Sequence, residues 1–446
     1  MESTLLNAVL NHNKKHMVSM HMPAHKGNAE ALNPLGQMQN VDITEIPDTG
    51  SLFDGEGATL EAEKAAKKAF NTEATFMSAG GCTLCIQGMF RAAVPNGGKV
   101  ICSRVIHRSA INTMALLGID PVWVLPDSSA GEAFSGRITA ENVKSALEEN
   151  PDAKAVYITC PDYFGIISDV EGIAKECKKY DIPLIVDNAH GAHFRFLEND
   201  ISPTHLGAAM SADSAHKTMP VMTGGAWLQV GDKRYKGDIR QAMMLFGSTS
   251  PSYPIMISLD LARAWMEENG KEALKVLTKR VAQTKKICEE NGLTLPKGFV
   301  DPARIAFDTS DTGFVGEEFG EKLRKNGVEP EYAGQGKIIL IPSVMNTKED
   351  FERLNEAIIN ICKEKRESKE PEKVIAKLPK RVMSPRDALM SEKEAIGVKE
   401  SEGKVAAEVF CPCPPAIPVV MPGEIISKNE IESLLSYGIF NIKVVK

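Results

Sequence analysis

The stretch "DSAHKTMPVMTGG", beginning at Asp213, sets Ser214, His216 and Lys217 within four residues and closes on a Gly-Gly pair. Lys217 follows an apolar run rather than lying on a polar helix face. An amine held there is suited to covalent chemistry: it can condense with a carbonyl carbon and later be displaced. Thirty residues earlier Asp187 ends the apolar run "PLIVD". The carboxyl-terminal edge of a parallel sheet is where ligands sit, and a partly desolvated carboxylate there seeks a cation or a donor. Upstream, "AGGCTLC" (79–85) lies between a strand pattern and a helix pattern. Its glycines, Cys82, Thr83 and the helix N-terminus behind them form a cup suited to a dianionic phosphate. Between these, "SRVIHRSA" puts His107 at the opening of a further helix on the same edge.

Each feature alone has an ordinary explanation: a surface turn, a strand-end cap, a common glycine turn, a helix-start histidine. The ordered set fits one cofactor, pyridoxal 5'-phosphate. A lysine forms the Schiff base, an aspartate keeps the pyridine nitrogen protonated, a glycine turn takes the phosphate, and an imidazole covers one ring face.

The elements that must position these residues are legible in the pattern. Short apolar runs at 74–78, 99–103, 121–125, 154–158, 183–187, 208–212 and 225–230 alternate with helical patterns at 85–94, 107–117, 140–149 and 169–180. This is the βα alternation of an α/β fold with a mostly parallel sheet covered on both faces. At 446 residues the chain needs more than one domain. Residues 1–45 read as an N-terminal arm with dimer contacts, 46–255 as the large cofactor-binding domain, 256–365 as a connecting helix and small α/β domain, and 366–446 as a linker and C-terminal segment. With 52 basic and 59 acidic residues the net charge is −7, which lacks the footprint of a nucleic-acid binder. No eighteen-residue apolar stretch or signal-peptide pattern is present, and nine cysteines in so long a chain suit reduced thiols. A cytoplasmic enzyme with no membrane partner is expected. The "CTLC" and "CPC" pairs lack a zinc-ribbon context, so no metal is expected.

The chain resembles the Orn/Lys/Arg decarboxylase family of fold-type-I pyridoxal-phosphate enzymes, which have an aspartate-aminotransferase-like large domain. The likeness rests on "HMPAHKG" (21–27), "PDAKAVYITCPDYFG" (151–165), "IPLIVDNAHGAHF" (182–194), "SAHKT" (214–218), "STSPSYPIMISLDLAR" (248–263), "EDFERL" (349–354) and "PCPPAIPVVMPGE" (412–424). It spans nearly the whole chain and looks like the short form without an N-terminal wing. The resemblance implies that Lys217 carries the cofactor and Asp187 faces the pyridine nitrogen. Ala189 would sit against the ring, and His190 would lie near the cofactor's phenolic oxygen or the substrate carboxylate. Ser214, His216, Cys82 and Thr83 would hold the phosphate, and His107 would stack on the ring. Ser250, in a loop resembling one supplied by the neighbouring subunit, would reach the phosphate from there, so a homodimer or higher homo-oligomer with shared sites is implied. The implied reaction is decarboxylation of a basic amino acid, with arginine favoured over lysine and ornithine, feeding polyamine biosynthesis. Lys217 or His190 would return the proton to Cα.

Departures from the family pattern bear on the substrate. Cys82 stands where the cup usually has a hydroxyl, Asn188 replaces a glutamate, and Ala24 a glycine. In "DTGSLFDGEGAT" (48–59), Gly50, Ser51 and Phe53 replace two acids and a histidine. Asp48, Asp54, Glu56 and Glu424 are the acids left to meet a cationic side chain. An aminotransferase or other lyase is the alternative; it would need an arginine for the substrate carboxylate, with Arg240 and Arg386 as candidates. A non-enzymatic scaffold would not need both Asp187 and Lys217.

Overall fold

The apolar runs form strands in a computed structural model that describes residues 15–20, 42–43, 45, 49–129, 131, 133–364, 366–369, 378–411 and 417–446. A first strand, β1 (Val18–Met20), precedes the large domain. Its sheet is built from β2 (Ala74–Ser78), β3 (Gly98–Ser103), β4 (Ile119–Val124), β5 (Ala155–Thr159), β6 (Leu184–Asp187), β7 (Met210–Asp213) and β8 (Ala226–Val230). The spatial order is β2-β8-β7-β6-β5-β3-β4. Only β8 runs against its neighbours, pairing antiparallel with both β2 and β7. The carboxyl ends of β2, β3, β5, β6 and β7 therefore share one edge. β5, β6 and β7 are almost wholly buried, as continuous apolar strands covered on both faces should be.

Helices cover the two faces: α1 (Gly57–Phe70), α2 (Gly81–Ala93), α3 (Arg108–Leu117), α4 (Ala140–Glu149) and α5 (Val170–Lys179). Their starts are set locally. Thr139 and Asn142 form a reciprocal capping box on α4, and the Asp169 carboxylate accepts from Gly172 N–H at the start of α5. α2 begins four residues earlier than the apolar periodicity suggested, so the glycine cup is the first turn of the helix itself. Gly81 N–H is tied to Gly224 O at 2.8 Å, which fixes the cup against the turn before β8.

After the short helices α6 (Ala215–Thr218) and α7 (Ile239–Met244), the 38-residue α8 (Tyr253–Glu290) carries the chain out of the large domain. The small domain has an antiparallel sheet ordered β11 (Tyr332–Gly334), β12 (Lys337–Leu340), β9 (Ile305–Asp308), with α9 (Gly316–Lys325) and α10 (Lys348–Cys362). Its remaining strand, β10 (Val328–Pro330), pairs in parallel with β1. The described part of the N-terminal arm is thus a strand added to its own chain's small domain, which its weak periodicity did not foretell. His21, His25 and Ala24 lie outside the described residues. The C-terminal unit holds α11 (Pro385–Met390), α12 (Lys428–Ser436) and the antiparallel pair β13 (Lys393–Gly397) and β14 (Asn441–Val445) around a core of Val398, Val420, Ile426, Leu434 and Val444. Among the described residues no helix is long and apolar enough to cross a membrane.

Candidate active site

β6 and β7 lie side by side in parallel register, Asp187 opposite Ala212. That pairing brings the end of one strand beside the turn that carries Lys217. Asp187 is 2% exposed. Its Oδ2 accepts from Tyr157 Oη and its Oδ1 from Ala189 N–H, both at 3.1 Å. Burial, then the Asp187 charge, pushes the Tyr157 phenol well up, so it remains a donor to that carboxylate. Tyr157 was not singled out from the sequence, because its hydroxyl faces Asp187 only once β5 and β6 pair.

Lys217 Nζ sits 3.2 Å from His190 Nε2. The other ring nitrogen of His190, Nδ1, is 3.1 Å from Arg304 Nη2. Arg304 directly precedes β9 and is fully buried, and Nη1 donates to Tyr163 O. The Tyr163 ring meets the imidazole edge-on at 5.3 Å between centroids. Burial first, then the Lys217 and Arg304 charges, hold the His190 ring well below the ordinary histidine range. His190 is therefore a neutral imidazole at neutral pH. Sequence reading missed Arg304 and Tyr163.

The other candidate residues sit around this group. His107 caps α3, its Nδ1 accepting from Ser109 N–H at 3.2 Å. The residue is exposed. Thr83 is exposed on the first turn of α2. The Cys82 side chain turns away from a phosphate position: Sγ lies 3.3 Å from Ala212 O and 3.9 Å from Asp187 Oδ1. Any help Cys82 gives a phosphate comes through its backbone. Ala189 is buried, Ser214 Oγ lies 3.2 Å from His216 Nδ1, and that nitrogen also faces Gly225 O at 3.1 Å. Ser250 is not brought to this cluster by its own chain. It is exposed, its N–H engaged by Ser248 Oγ at 3.2 Å. The residues present fit pyridoxal phosphate: a reachable amine, a buried carboxylate one strand away, and a helix N-terminus between them.

Several residues read as substrate-facing have other partners. Glu424 is fully buried in a bidentate pair with Arg104, at 2.6 and 2.8 Å. Arg240 is engaged by Glu63 and by Leu52 O, and Arg386 by Ala115 O and Leu116 O. Gly50 has φ +73°, and a Cβ there would meet Glu56 O at 2.2 Å. Only glycine fits that turn, which also accepts Tyr253 Oη on Gly50 O at 2.6 Å. Ser51 Oγ accepts from Asp54 N–H at 3.3 Å, and the Phe53 ring lies against Gly247. Positions 50, 51 and 53 thus build a turn. Asp54 and Glu56 are exposed on it, and Asp48 lies outside the described residues.

The major-domain model of the Orn/Lys/Arg decarboxylases matches residues 3–304, and the family's C-terminal-domain model matches 368–440. The chain belongs to the Orn/Lys/Arg decarboxylase family. An arginine decarboxylase of Bacillus subtilis (strain 168) is 28% identical over 453 residues, covering 96% of this chain and 92% of its own length. The constitutive lysine decarboxylase of Escherichia coli (strain K12) is 23% identical, over 89% of this chain and 69% of its own. Among solved structures, lysine decarboxylase A from Pseudomonas aeruginosa superposes with a TM-score of 0.78 at 19% identity, over 96% of this chain and 78% of that one. The fold is that of a fold-type-I pyridoxal-phosphate enzyme with a smaller C-terminal α/β region, and membership places the chain among pyridoxal-phosphate-dependent decarboxylases of basic amino acids.

Proposed function

We propose that this enzyme removes the α-carboxyl group of arginine as CO₂ and releases the matching amine, with Lys217 as the residue that carries the cofactor. The observation behind this reading is the Lys217–His190 contact of 3.2 Å beside a carboxylate that is 2% exposed. Bound there, pyridoxal phosphate supplies an electron sink for the bond broken at Cα. Asp187, held by Tyr157 and Ala189, pairs with the pyridine nitrogen through its charge. Cys82 and Thr83 offer backbone N–H groups at the N-terminus of α2 to the phosphate, joined by Ser214 and His216. Lys217 or the neutral His190 returns a proton to Cα.

One feature favours decarboxylation over amino transfer. Arg240 and Arg386 are both engaged elsewhere, so neither is free to clamp a substrate carboxylate. Arginine is favoured because curated relatives of similar length that carry that activity are 28–29% identical, against 22–23% for lysine decarboxylases. A partner subunit bringing Ser250 to the phosphate fits the exposure of Ser250 and of Met244 and Leu245 nearby. The deciding experiment is a panel of arginine, lysine, ornithine and neutral or acidic amino acids, read by CO₂ release and amine identity. Preference for a neutral or acidic substrate, or a keto acid as product, overturns the proposal.

A further inference from the structure

We propose that Arg304 is a positioning residue that locks His190 in the Nε2–H tautomer, so that an N–H is aimed at Lys217 Nζ. The inference rests on the reading of Lys217 as the cofactor-bearing residue. Its basis is hydrogen-bond chemistry at three atoms in a row. Arg304 Nη2 lies 3.1 Å from His190 Nδ1. A guanidinium donates and never accepts, so Nδ1 must present its lone pair. A neutral imidazole with a lone pair on Nδ1 carries its proton on Nε2. That N–H faces Lys217 Nζ at 3.2 Å. The Nδ1–H tautomer and the imidazolium would each set donor against donor at Arg304.

The surroundings hold this arrangement in place. The charged and titratable groups around the ring are Lys217, Arg304, His107 and His216, all of which disfavour a second proton on it. Arg304 is 1% exposed, with Nη1 fixed on Tyr163 O at 3.3 Å. Room for its stem comes from Gly165, where a Cβ would meet Arg304 Cγ at 2.7 Å. The same turn is clamped by Asp301 N–H on Gly165 O at 2.7 Å. Arg304 is thus set by the small-domain entry and has no free face for a substrate carboxylate.

The test uses full-length holoenzyme labelled with ¹⁵N-histidine, with the His190 signal assigned by difference against His190→Gln in solid-state NMR. In the wild type, Nδ1 should be pyridine-like and Nε2 pyrrole-like, unchanged between about pH 6 and about pH 9. Arg304→Met should mix the tautomers, make the ring titrate nearer its ordinary range, and lower kcat by about ten- to a hundredfold with KM within about threefold. Arg304→Lys, which keeps a charged donor, should retain the Nε2–H form and most of the activity. A wild-type proton on Nδ1 overturns the proposal, as does an Arg304→Met enzyme with unaltered tautomer and pH profile. If Arg304→Met does not fold, the wild-type and Arg304→Lys spectra still decide. The substrate panel is read separately, so an Nε2–H ring in a protein that releases no CO₂ would fault the functional reading and not this one.

Discussion

Removing the Glu424 side chain should loosen the C-terminal unit from the large domain by a measurable and specific amount. Arg104 and Glu424 are 320 residues apart, both fully buried, and joined by two short charge-assisted bonds. Glu424 Oε2 also accepts from Met421 N–H at 2.8 Å, and the Arg104 guanidinium lies 5.3 Å from the Trp123 ring centroid. Glu424→Ala leaves that guanidinium buried with no counter-charge, a change that costs about 3–5 kcal/mol. At about 1.4 kcal/mol per power of ten, local opening should become about 10²- to 10⁴-fold more frequent. Hydrogen exchange at the Ala406 and Gly423 amides reads this directly, because their backbone acceptors, Glu424 O and Ala406 O, remain in the variant. Arg104→Met combined with Glu424→Met should recover most of the loss, since a buried pair is worth little more than the apolar groups that replace both partners. Exchange in Glu424→Ala within threefold of the wild type, or a double variant as loose as either single one, refutes the reasoning.

Four further outcomes are expected. Lys217→Ala should fold, bind no borohydride-trappable cofactor, and lose turnover by several orders of magnitude; labelling of another lysine peptide in the wild type would assign the role elsewhere. Asp187→Asn should keep the cofactor, because the Tyr157 hydroxyl can rotate to accept from the new amide, yet turnover should collapse with the lost charge; near-normal kcat would show the charge is not needed. Asn188→Asp should place a second carboxylate at the 2.9 Å contact with Asp213 and lower stability, and adding Asp213→Asn should restore it; additive losses in the double variant would break the argument. Asp162 is pushed up to about 6, chiefly by burial, against the Ser135 hydroxyl and the Ile166 N–H. An acid raised in the folded state contributes stability that is full below its unfolded value and lost as pH climbs through about 6, about 3 kcal/mol in all, so Asp162→Asn should flatten the denaturation midpoint over about pH 4–6.5 relative to wild type.

The placement of the candidate residues was legible where it depends on the sheet edge. Asp187 and Lys217 each follow an apolar strand, and parallel pairing of β6 with β7 is enough to bring them together. The same holds for the cup at Gly81 and for His107, both of which open helices on that edge. What pattern reading could not supply was pairing between distant parts of the chain. Glu424, in a proline-rich tail, looked like an acid awaiting a substrate cation; its cation is Arg104, which no periodicity connects to it. Gly50 looked like a lost acid, whereas its φ of +73° and the closeness of Glu56 O leave room for no side chain.

Arg304 shows the limit most sharply. It lies 114 residues beyond His190, at the first strand of another domain, in a stretch, "DPARIAFD", whose alternation announces only a buried strand. Its importance arises because Gly165 leaves a gap of the right size and Asp301 N–H ties the turn to Gly165 O. The imidazole is carried by the large domain, while the hydrogen bond that fixes its proton comes from the small one. The orientation of a proton at the amine is therefore a property of how the two domains pack. It follows that a substitution at Gly165 or Asp301, touching no residue of the cofactor site, acts on Lys217 through the ring between them.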